Sequence, residues 1–74
     1  MIKDDIGLNA GTIWYLLSEN DVLSIRQIGE MTSYDGVMIT LALGWLAREN
    51  KIRFNYKNEM LYVELNHSAA DMYY

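Results

Sequence analysis

The chain contains no cysteine, which excludes disulfide staples and thiolate metal sites. It has a single histidine, His67, with no second imidazole and no clustered carboxylates to complete a ligand set, so no metal is expected. Its longest apolar runs, residues 13–17 and residues 41–47 with Gly44 interrupting the second, fall far short of the roughly 20 residues that span a bilayer. No charged start followed by an apolar core and a cleavage site marks a secretory signal. A cytoplasmic protein without membrane attachment is the expectation. Glycines at positions 7, 11, 29, 36 and 44 match neither a P-loop nor a dinucleotide fingerprint, and the serines have no base partner. Asp4 and Asp5 are adjacent acids at a helix start, which capping explains better than acid–base chemistry. No cofactor and no catalytic residue are therefore expected, and the chain does not read as an enzyme.

What is present is mostly apolar. With 74 residues, 51% of them hydrophobic, the chain has enough material for one domain and too little for two. A single core of this size leaves only about 3–5 kcal/mol of net stability, and domains without staples often gain more by oligomerising. The net charge of −4 opposes general attraction to a polyanion. Its distribution is uneven, however. Of the six basic residues, four (Arg48, Lys51, Arg53 and Lys57) fall within ten positions, so one end of the molecule is locally basic.

The chain is organised around residues 24–49. Ser24 and Gln27 have capping-box spacing, in which each side chain satisfies a free backbone donor of the other, so a short helix should begin there. Thr32 and Ser33 interrupt the apolar pattern. A longer apolar segment then runs to Arg48, and Asn50 offers a left-handed exit. Before this unit, a first helix capped by Asp4 or Asp5 should run to about Glu19, burying Ile6, Ala10, Ile13 and Leu17. Leu8, Tyr15 and Leu16 lie elsewhere on that wheel. Gly7 and Gly11 read as tolerated glycines or as a close backbone approach. Asn20 and Asp21 end the helix, and Val22-Leu23 is a candidate short strand.

The second helix should turn Ile25, Ile28 and Met31 inward and Arg26, Gln27 and Glu30 outward. After Glu49 the period changes to two. Ile52, Phe54 and Tyr56 alternate with Arg53, Asn55 and Lys57, and Leu61, Val63 and Leu65 alternate with Met60, Tyr62 and Glu64. Lys57-Asn58-Glu59 marks the turn of a hairpin. The segment from residue 66 to residue 74 has no clear period and reads as a C-terminal tail, loose or docked on a partner through Met72, Tyr73 and Tyr74.

Residues 1–65 read as one domain, and over about residues 5–65 this order resembles the winged helix-turn-helix superfamily, an α+β fold of three helices followed by a two-stranded antiparallel wing. The resemblance is carried by the third-helix stripe Ile39, Ala42, Leu43 and Leu46 and by the junction Glu49-Asn50-Lys51-Ile52. The phrase GWLARENKI is similar to a small bacterial winged-helix family of unknown function. The superfamily implies DNA binding and transcription regulation, with the third helix in the major groove and the wing on the backbone.

The groove-facing positions here are Val37, Met38, Leu41, Gly44, Trp45 and Arg48. Only Arg48 can form a strong contact to phosphate or guanine, Thr40 and Tyr34 offer single hydrogen bonds, and Asp35 would repel phosphate. Arg48, Lys51, Arg53 and Lys57 together would give a log–log salt slope of roughly −3.6 per subunit. Two functions follow. One is a DNA-binding regulator that contacts double-stranded DNA weakly and salt-sensitively through the wing. The other is a protein-interaction or dimerisation module that keeps the scaffold without binding DNA. Nine of the eleven residues from 37 to 47 are apolar, more than so short a chain can cover, so a homodimer or another protein partner is expected. The candidate interface residues are Leu8, Tyr15, Met38, Leu41, Trp45, Tyr73 and Tyr74.

Overall fold

Ser24 joins the two halves of the architecture. It is the last residue of a strand and the first cap of a helix, and it is buried with only 3% of its surface exposed. A buried hydroxyl must be hydrogen-bonded. Its Oγ accepts from the Gln27 backbone N–H at 3.1 Å, while the Ser24 N–H donates to Gln27 Oε1 at 2.8 Å. The expected capping box is therefore complete.

The structure, a computed structural model, describes residues 3–66. The chain order is α1 (Lys3–Glu19), β1 (Val22–Ser24), α2 (Ile25–Thr32), α3 (Gly36–Arg48), β2 (Ile52–Lys57) and β3 (Met60–Leu65). Helix α1 already includes Lys3, so Asp4 and Asp5 lie inside its first turn rather than at the position before it. The positive end of the helix dipole still favours acids at those positions. No helix among the described residues is long and apolar enough to cross a membrane.

The two breaks that make three helices have distinct causes. Ser33 ends α2 in the left-handed region at φ 65°, with its N–H donating to Gly29 O at 2.8 Å. Two residues on, the Asp35 carboxylate accepts from Met38 N–H at 2.9 Å and opens α3. Asn50, at φ 59°, closes α3. Asn50 N–H donates to Ala47 O and Lys51 N–H to Leu46 O, both at 3.0 Å, the paired bonds of a Schellman motif. That motif turns the chain directly into the wing.

The wing is not an isolated hairpin. Strand β1 includes Ser24 beyond Val22-Leu23 and pairs antiparallel with β3, giving a three-stranded sheet in the order β1-β3-β2. Asn58 and Glu59 both have positive φ, 53° and 62°, so a type I′ two-residue loop joins β2 to β3. Lys57 belongs to the strand. Asn66, expected at the start of the tail, donates its N–H to Lys51 O at 2.9 Å and is tied to the domain. Residues 67–74, with His67, Met72, Tyr73 and Tyr74, lie outside the described residues.

One core unites these elements. Ala10, Ile13 and Leu17 of α1 meet Ile39, Ala42, Leu43 and Leu46 of α3, with Ile28, Leu23, Ile52, Val63 and Leu65 closing the remaining sides. The expected faces of α1 and α3 are thus the buried ones, except that Ile6, at the start of the α1 stripe, is only half-buried. Met31 departs from expectation and is about half exposed. At about 100° per residue, Met31 lies on the far side of Ile28 from Ile25, and an eight-residue helix covers only one of those flanks.

Two measurements check this account. Ser24→Ala removes the cap while Gln27 keeps its own bond, and should cost about 1–2 kcal/mol in chemical denaturation. A loss well below that range would mean the box does not anchor α2. Glu59→Gly relieves a left-handed residue at about 1 kcal/mol, partly offset by added freedom in the unfolded chain. It should raise stability by about 0.5 kcal/mol, whereas Glu59→Val should lower it.

Candidate functional site

The Schellman exit and the Asp35 cap fix which side of α3 faces outward. With Ile39, Ala42, Leu43 and Leu46 in the core, the outer side presents Val37 at 67% exposure, Leu41 at 42%, and exposed Gly44 and Arg48. Met38 is half-buried. Asp35, Gly36, Val37, Thr40 and Leu41 line a shallow depression at the start of the helix. The surface that a helix-turn-helix offers to a groove is therefore apolar, with a carboxylate at one end and a guanidinium at the other.

The polar candidates on this side are largely engaged. The Thr40 hydroxyl donates to Gly36 O at 2.7 Å within the helix. Tyr34 is half-buried against the core, and its backbone N–H donates to Thr32 Oγ1 at 3.0 Å. Asp35 adds negative charge where phosphate would approach. Arg48 lies in the last turn of α3, where the helix dipole favours a cation.

The four basic residues do not act as one cluster. Arg53 stands directly opposite Glu64 across the ladder, and its Nε and Nη2 donate to Glu64 Oε1 at 2.9 and 2.8 Å. The pair is partly exposed and adds little stability. Its main effect is to neutralise Arg53 in place. Among the described residues, Arg48, Lys51 and Lys57 have no carboxylate within ion-pair distance. Lys51 is half-buried beside a groove of about 330 Å³ formed by Gly7, Gly11, Trp14 and Trp45, while Lys57 is exposed at the tip of the wing.

The apolar candidates form separate patches. Trp45 leans on α1, where a Cβ added at Gly7 would sit 3.7 Å from its ring. Gly7 is thus a point of close helix approach, and nothing lies within 4 Å of a Cβ at Gly11. Leu8 follows Gly7 by one residue, about 100° round the helix, so Leu8 and Tyr15 occupy a different exposed face. Tyr73 and Tyr74 are outside the described residues.

Three exposed aromatics were not among the sequence candidates. Trp14 shares the groove with Trp45 and is exposed. Its spacing of three from Gly11 and seven from Gly7 placed it on that side of the helix. Phe54 and Tyr56 are exposed on the wing at 45% and 71%, although their alternation reads as an ordinary strand face. Among the described residues, no three His, Cys, Asp or Glu side chains group to hold a metal ion.

This geometry agrees with the comparisons to known proteins. The chain belongs to the winged helix-turn-helix domain family DUF2582, whose model matches residues 1–65. It is 41% identical over 49 residues to the uncharacterized protein MJ1608 of Methanocaldococcus jannaschii, covering 64% of this chain and 70% of that one. It is also similar to the solution NMR structure of protein BT2368 from Bacteroides thetaiotaomicron, with a TM-score of 0.82 and 35% identity. That match covers 93% of this chain and 84% of the other. The winged-helix expectation is met, and none of these names specifies a DNA-binding role.

Proposed function

We propose that this winged-helix domain is a non-catalytic interaction module that pairs with a second copy of itself through the outer face of α3. One observation carries the reading: Val37 and Leu41 are exposed, with Gly44 between them and Arg48, at the positions where a base-reading helix needs forked polar side chains. Leaving that apolar surface in water forgoes burial worth about 25 cal/mol per Å². A thin core makes such burial valuable to the fold.

The surface is also suited to itself. Asp35 stands at the start of α3 and Arg48 at its end. Two antiparallel copies related by a two-fold axis near Leu41 would set each Arg48 against the other copy's Asp35. Exposed Gly44, with open space where a Cβ would project, lets the second helix approach closely. Closed two-fold pairing is the commonest oligomeric arrangement.

Sedimentation equilibrium tests this reading. The chain should be dimeric at micromolar concentration, and Leu41→Glu should make it monomeric while it stays folded. Asp35→Arg and Arg48→Glu should each weaken the dimer, and the double reversal should recover part of the loss. A monomer at high micromolar concentration, or a dimer unmoved by Leu41→Glu, would rule out this interface.

A second reading rests on Arg48, Lys51 and Lys57, which border α3 and the wing without carboxylate partners among the described residues. Three phosphate contacts per subunit give a log–log salt slope of about −2.7, shallower than four cations would give. An NMR titration with generic duplex DNA at low salt should therefore show weak shifts near these three residues that vanish as salt rises. Tight binding with shifts along Val37 and Leu41 would instead place α3 in the groove and overturn the dimer reading.

A further inference from the structure

The sheet order β1-β3-β2 leaves β2 at an open edge among the described residues. In an antiparallel ladder, alternate residues use both backbone groups on the neighbour and the residues between them point both groups away. The phase is fixed here at both ends. Asn66 N–H donates to Lys51 O at 2.9 Å, and Lys57 faces Met60 across the two-residue loop. Lys51, Arg53, Asn55 and Lys57 therefore bond to β3. Phe54 and Tyr56 direct their N–H and C=O groups outward.

These two residues also carry the exposed aromatic rings of the wing. Their side chains share one face, while those of Arg53 and Lys57 lie on the other. Edge strands are usually blunted by proline, bulges or outward-guarding charges. The chain has no proline. The Arg53 guanidinium is drawn back across β3 to Glu64, which leaves Lys57 as the cation beside the open ladder.

We propose that the outward backbone groups of Phe54 and Tyr56 accept an extended peptide of alternating apolar and acidic residues as a fourth strand. Its apolar side chains would cover Phe54 and Tyr56, and its carboxylates would lie on the opposite face, beside Lys57. Backbone bonds supply affinity in such strand addition, and the alternating side chains supply selectivity. A second copy of the chain fits less well. The antiparallel register that sets Phe54 opposite Tyr56 of another copy also sets Lys57 opposite Arg53, whose carboxylate partner is already Glu64, so Lys57 gains no counter-charge there. The proposal goes beyond the α3 interface and does not depend on it.

The test uses the full chain, labelled with nitrogen-15, and two blocked octapeptides, one alternating valine with glutamate and one alternating valine with lysine. With the glutamate peptide, hydrogen exchange at the Phe54 and Tyr56 amides should slow by about tenfold, while Arg53 and Asn55 change little. The lysine peptide should bind about tenfold more weakly. Tyr56→Pro deletes one outward donor and leaves the β3 ladder intact, so it should reduce binding of the glutamate peptide. Lys57→Glu keeps every backbone group and should reverse the preference between the two peptides. No protection at Phe54 and Tyr56 with millimolar peptide would overturn the proposal, as would equal binding of both peptides. Protection that appears without peptide and grows with protein concentration would assign the edge to a second copy instead. Sedimentation of the Leu41→Glu variant reads the α3 interface separately.

Discussion

The fold depends on one small polar residue that must satisfy two structures at once. Ser24 pairs in β1 opposite Tyr62 of β3 and also caps α2. Its burial makes both roles obligatory, because an unbonded hydroxyl or N–H there would cost free energy that a thin core cannot spare. Through this residue, the helix-turn-helix is held to the sheet at a set angle. Leu23 and Ile28, on either side of it, are then carried into the core against Val63 and Ile39.

The same constraint determines what remains outside. Once α1 and the sheet take the inward face of α3, no other element among the described residues covers its outer side. Burial along β2 stops after Ile52, so Phe54 and Tyr56 are exposed even though Val63, directly opposite Phe54, is fully buried. Charge follows position as well. Cross-strand register delivers Glu64 to Arg53, which removes one cation from the basic cluster, while Asp35 is committed to starting α3. The molecule presents apolar and backbone surfaces where its fold would lead one to expect a polyanion site.

Much of this was legible in the residues. The capping box at Ser24 and Gln27, the Asn50 exit, the α1 and α3 stripes and the hairpin alternation are local signals, each set by neighbours within a few positions. The outer stripe of α3 followed from them, because helical spacing fixes one face once the other is known. Several features were not legible. The exposure of Met31 depended on which flank of α2 met the core, and the helix start at Lys3 moved Asp4 and Asp5 from the cap position into the first turn. The exposure of Phe54 and Tyr56 depended on β2 being the edge strand, outside the part of the sheet that the core covers.

The sequence by itself determined the order and type of the elements, because caps, left-handed exits and periodicity act through backbone groups close along the chain. It also determined that four of the six basic residues fall within ten positions and that α3 carries an apolar stripe on the side away from its core face. Only the tertiary structure decided that β1 completes a three-stranded sheet, that Glu64 neutralises Arg53, that Trp45 rests on Gly7, and that β2 is left at an open edge. Each of these joins residues that are distant in the chain, so each is set by packing and register between elements. A linear reading of neighbours gives the hairpin partner of β2 but does not say which strand from far along the chain joins that hairpin.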